Sequence, residues 1–164
     1  MGKIKANSDA DLVSMAYKGA CTAASTFILA TLMYIFIAWF ILSKELLNRS
    51  IDPVIELRIA IVLIVVSILL ACVGLVILPR YQTLERLMKK AKTEEDLLKR
   101  LSMANATRLQ VVEAIALLGF MFSLVTGKPV YIYCLGIATI LFLVLLWPRR
   151  EEWEQVRRIM DKQA

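Results

Sequence analysis

Between Ile59 and Leu78 the chain runs for twenty residues without a charged side chain. Three more apolar blocks accompany this one: Gly19 to Ser43, Leu109 to Thr126 with a single charge at Glu113, and Val130 to Trp147 with none. A helix needs roughly 20 apolar residues to cross ~30 Å of hydrocarbon, and about 17 to 25 are tolerated. A soluble helical bundle would carry polar residues at helical spacing through such blocks, and none appears. The expected fold class is therefore all-α integral membrane. The expectation is one domain over 1–164, a four-transmembrane-helix bundle with spans near 19–43, 59–78, 109–126 and 130–147.

Composition agrees with this reading and excludes much else. Of the 164 residues 59% are hydrophobic and 21% charged, more apolar than ordinary soluble domains. The chain has no histidine, which removes Ser-His and Cys-His nucleophiles and His-ligated zinc, copper or haem. Cys21, Cys72 and Cys134 all fall inside spans with no C-x-x-C spacing, and read as inert packing residues.

Orientation follows from the basic residues. Sixteen of the 20 lie before span one, between spans two and three, or after span four. By the positive-inside rule this puts both termini and the central loop in the cytoplasm. It also accounts for the net charge of +6, so no nucleic-acid partner is expected. Tyr17 and Trp147 stand where inner interface anchors belong, and Trp39, Tyr131 and Tyr133 where outer ones do. Gly19 to Ser43 is too long for the apolar core of a typical secretory signal, and Asp9 and Asp11 precede it. Ala6 stands where a myristoylation signal needs Ser or Thr.

The two halves resemble each other. Span two leaves through Leu78-Pro79-Arg80 and span four through Trp147-Pro148-Arg149. Ser8 with Asp11, and Thr93 with Asp96, each place a hydroxyl three residues before an acid, the spacing of a capping box. Each half reads as a capped helix, a span, a turn, a span and a Pro-Arg exit, giving two duplicated helical hairpins in parallel. Amphipathic cytoplasmic segments are expected at 80–107 and 149–161. The first should be a helical hairpin broken at Thr93, with Leu84, Leu87, Met88 and Ala91 on one face of its first helix and Leu97, Leu98, Leu101 and Ala104 likewise on one face of its second. In the second, Trp153, Val156 and Met160 share a face. These segments lie on the anionic leaflet, pack on themselves, or dock a partner.

Glu113 is the one acid within a span, four residues in and ~6 Å below the boundary at ~1.5 Å per residue. Gln110 stands one turn before it. At similar depth span one is small and polar from Gly19 to Thr26, and its hydroxyls at Thr22, Ser25 and Thr26 are suited to satisfy a carboxyl. Glu113, Gln110, Thr22, Ser25 and Thr26 thus form the candidate ion, ligand or interhelical polar site.

The run Val112-Glu113-Ala114-Ile115-Ala116-Leu117-Leu118-Gly119-Phe120 is similar to the acid-bearing helix of rotary ATPase proteolipid (c-ring) subunits. That resemblance implies a Glu carrying a proton or sodium ion. Here the acid is shallow, and no helix is glycine-rich. The wider pattern, through Thr126-Gly127 to Trp147-Pro148-Arg149, looks like a group of small bacterial four-span membrane proteins. This second likeness implies a multi-pass protein of the bacterial inner membrane.

No second carboxylate accompanies Glu113, and no phosphate loop or metal-ligand cluster is visible, so neither an enzyme nor a cofactor is expected. The expected function is a non-catalytic subunit that oligomerises or scaffolds a membrane complex. Its partners would be the lipid bilayer and either further copies or other membrane subunits. The alternative is a small proton- or cation-linked transporter or channel component using Glu113.

Overall fold

The structure is a computed structural model that describes the backbone of residues 2–44, 52–91 and 93–163, and the side chains of 12–44, 52–89, 91, 93 and 95–158. The described residues form α1 (Gly2–Ser43), α2 (Pro53–Cys72), a π-helical segment (Val73–Ile77), α3 (Leu78–Tyr81), α4 (Leu84–Lys90), α5 (Glu94–Thr126), α6 (Val130–Leu145) and α7 (Arg150–Gln163). Four helical stretches are long and apolar enough to cross a membrane: Leu12–Ser43, Pro53–Tyr81, Glu95–Thr126 and Val130–Arg158.

Local chemistry explains most of the ends. The Asp52 side chain accepts from the Val54 N–H at 2.8 Å, ahead of Pro53 in the first turn of α2. Thr93 does the same for α5, accepting from the Asp96 N–H at 3.2 Å, as its spacing predicted. Gly127 closes α5 at φ 70°, a left-handed conformation that costs glycine little. The Ile132 N–H in the first turn of α6 donates 2.9 Å to the buried Ser123 Oγ on α5, so one helix caps the next.

Helix α5 is the hub. It packs along α1, α2 and α6 and takes α4 at its base. Of its most apolar stretch 44% is buried inside the molecule, against 11 to 22% for the other three. Helices α1 and α5 run side by side in parallel, with Ala24 against Leu109 and Val112. Helix α6 returns antiparallel, and at Gly119 the backbones close in. A Cβ at Gly119 would stand 2.9 Å from the Leu135 Cβ and 3.2 Å from the Tyr131 carbonyl oxygen.

A second core forms where the chain's basic segments gather, called here the basic end. Val13 and Ala20 of α1, Leu97, Leu98 and Leu101 of α5, and Trp153 and Val156 of α7 are buried together, with Leu84, Leu87, Met88 and Ala91 packed on them. The apolar faces of three amphipathic segments therefore meet one another, which satisfies each of them without a separate surface. Met160 lies outside the described side chains.

Several expectations are corrected. Backbone α1 is already helical at Gly2, so Ser8 stands inside a helix and does not start one; its side chain is not among those described. The two Pro-Arg exits also differ. Pro79 sits in a helical run that continues to Tyr81, where the Leu78 N–H reaches back five residues to the Val73 carbonyl. Pro148 lies in a non-helical link before Arg150. Pairing differs between the halves too: α5 and α6 pack closely, whereas α2 lies chiefly on α5, and α1 on α5, α6 and α7. Of the cysteines, all free, Cys72 and Cys134 are exposed and fill no interior gap.

Candidate functional site

Glu113 sits half-buried on α5, and the structure joins it to α1 through a different residue from those expected. The Tyr34 hydroxyl donates to Glu113 Oε1 at 3.1 Å. The Tyr34 ring lies over Phe120, two helical turns further along α5, with centroids 5.6 Å apart and planes 29° from parallel. Helical side chains lean toward their own N-terminus, so Tyr34 stacks level with Phe120 and reaches back to the carboxylate. An aromatic body packed on an aromatic neighbour thus holds a phenol in place on the acid.

Thr22, Ser25 and Thr26 are exposed, turned away from α5. Their hydroxyls donate within α1, to the carbonyls of Lys18, Cys21 and Thr22 at 2.9, 3.0 and 2.9 Å. Gln110 is exposed as well. The small residues of α1 that do face α5 lie lower, where Ala16, Gly19, Ala20 and Ala23 oppose Ser102, Asn105, Ala106 and Leu109 across a groove of about 280 Å³. Glu113 and Tyr34 are therefore the interior polar pair, and the other four candidates are not gathered around them.

A second polar cluster escaped the sequence reading. Glu56, at the start of α2, receives Lys128 Nζ on both oxygens at 2.8 and 2.7 Å and the Tyr131 hydroxyl at 2.6 Å. The Glu56 residue is only 9% exposed. Tyr131 meets Phe122 edge-on at 4.5 Å, which fixes the phenol. This latch ties α2 to the α5–α6 turn, at the end of the bundle opposite the basic core. Its signal is a Lys-x-x-Tyr pair beside the turn and an acid three residues before span two. Tyr131 stands among the expected outer interface anchors, and Glu56 falls just before the expected start of span two.

At the basic end Arg108 leaves α5 and donates to the Gln82 side-chain oxygen at 3.0 Å and its backbone carbonyl at 3.1 Å. This bidentate contact pins the link between α3 and α4 to the hub. Among the described residues no group of three or more Cys, Asp or Glu side chains is arranged to hold a metal ion.

No family model matches the chain, and no curated protein or solved structure is detectably similar to it.

Proposed function

We propose that this chain is a non-catalytic multi-pass protein of the bacterial inner membrane, with both termini cytoplasmic, that assembles with further copies or other membrane subunits. The observation that carries the reading is the outward face of α1. Thr22, Ser25 and Thr26 project from it, exposed and turned away from the bundle. Larger apolar side chains, Met15, Leu29 and Met33, continue the same exposed face. In hydrocarbon, apolar surface alone drives no association, and small residues that let backbones approach are the usual contact. The hydroxyls already satisfy themselves within α1, so the face suits both lipid and a neighbouring helix. Broad apolar faces on α2 fit acyl chains, and the Lys and Arg distribution supports the orientation.

The second reading, a proton- or cation-linked component, rests on the Tyr34–Glu113 pair. A carboxylate with one phenol donor has room for another ligand, as the likeness to c-ring subunits implies.

A series of single cysteines in a cysteine-free background tests both. Thr22→Cys and Ser25→Cys should cross-link copies on mild oxidation in native membranes, Leu69→Cys on α2 should not, and Arg86→Cys should resist labelling from outside the cell. Cross-linking absent from both α1 positions contradicts self-assembly through this face. Glu113→Gln should leave the cross-linked yield unchanged; loss of a pH-dependent ion flux in that variant would favour the second reading.

A further inference from the structure

The basic end carries a cleft of about 350 Å³ between α1 and α7 that takes no part in the function proposed above. Ser14, Tyr17 and Lys18 line it from α1, and Arg150, Trp153 and Arg157 from α7. Three cations thus converge on one hollow. Glu154, the one carboxylate in its wall among the described residues, is paired with Arg150 at 2.9 Å. Lys18 and Arg157 have no ion-pair partner among the described residues.

The wall is rigid on the side that matters. Trp153 is 3% exposed and meets Tyr17 edge-on with centroids 6.2 Å apart, so the aromatic pair holds α7 at a set distance from α1. Arg150, Trp153 and Arg157 follow one another at helical spacing along α7, which puts both guanidinium groups on one side of the cleft and the ammonium of Lys18 across from them. Height is equally telling. Lys18 is the last residue before the apolar stretch of α1, and Arg150 follows the end of the fourth apolar block at Trp147 by three residues.

We propose that this cleft binds a phosphate-bearing anion. A guanidinium presents paired donors that match phosphate oxygens, an ammonium supplies a point charge, and tyrosine and tryptophan favour the boundary between water and acyl chains. The source is either the headgroup of an anionic lipid or a soluble phosphate; the lipid source rests on the membrane reading above, and the cleft itself does not.

The test uses the full chain in nanodiscs of mixed phosphatidylglycerol and phosphatidylcholine, with native mass spectrometry counting retained lipids, and equilibrium dialysis of inorganic phosphate against the purified protein. A Lys18→Gln/Arg157→Gln double variant is compared with Lys89→Gln/Lys99→Gln, which removes the same charge elsewhere on the basic end. Each basic group near an anionic surface supports binding severalfold, so the first variant should lose affinity on the order of tenfold and the second little. Preferential retention of phosphatidylglycerol, lost only in the first variant, supports the cleft and assigns a lipid source. Phosphate retention lost only in the first variant, with no headgroup preference, supports the cleft and assigns a soluble source. Equal binding by wild type and the first variant, or equal loss in both variants, overturns the proposal. A chain that fails to sediment with membranes refutes the membrane reading alone, because the phosphate dialysis still reports on the cleft. Circular dichroism of both variants confirms that a loss is not unfolding.

Discussion

Replacing Trp153 with alanine should destabilise the protein by about 3–5 kcal/mol, the usual cost of emptying a large aromatic site in a core. Trp153 is 3% exposed, meets Tyr17 of α1 edge-on, and is buried in one core with Val13 of α1 and Leu97, Leu98 and Leu101 of α5. On the membrane reading this core lies outside the hydrocarbon, so its burial is driven by water in the ordinary way. Detachment of α7 should show as rapid hydrogen exchange over 150–158, while exchange in α5 from 109 to 126 stays slow. Uniform acceleration across both regions would mean that the basic end is not a separate packing unit.

Gly119→Leu should act on the other core, costing about 3 kcal/mol or somewhat more, at the upper range for overpacking. The groups in the way are the Leu135 Cβ, 2.9 Å from where a Cβ would stand, and the Tyr131 carbonyl at 3.2 Å, and neither can yield as a side-chain tip would. Helix α6 must move off α5, which strains the Ser123 cap on Ile132 at 2.9 Å and the phenol contact of Tyr131 with Glu56 at 2.6 Å. The measurement is resistance to unfolding in mixed micelles, with Gly119→Ala as a milder point in the same direction. A Gly119→Leu protein as stable as the wild type would show that α5 and α6 are not closely apposed there.

Much of this architecture was legible in the sequence for a simple reason. Uninterrupted apolar blocks such as Ile59 to Leu78 need no partner to be recognised, and the stripes at Leu97, Leu98, Leu101 and at Trp153, Val156 declare a buried face by spacing alone. What a stripe faces is not encoded in its spacing, so the convergence of α1, α4, α5 and α7 into one core became visible only in three dimensions. The partner of Glu113 was missed through a fault of register. Matching depths from the first apolar residue of each block sets Gly19 level with Leu109, but Ala24 is the residue that packs there. Five residues amount to ~7.5 Å along a helix, and the reach of a tyrosine side chain adds to that. Thr22 and Ser25 were therefore expected at the acid and stand instead on the far side of α1, where Tyr34 could not have been guessed from spacing. The Glu56–Lys128–Tyr131 latch was hidden because its members are 72 and 75 residues apart, and only the α2–α5 packing brings them together.

The exposed small-residue face of α1 and the modest burial of three of the four apolar stretches make assembly the central claim. The most direct measurement is the mass of the particle extracted from native membranes without detergent, by polymer excision and native mass spectrometry. The account predicts particles holding two or more 18.5 kDa chains, or one chain with a second membrane subunit, and a shift toward single chains when Thr22 and Ser25 are both replaced by leucine. Particles containing a single 18.5 kDa chain and lipid alone, at native expression level, would contradict it.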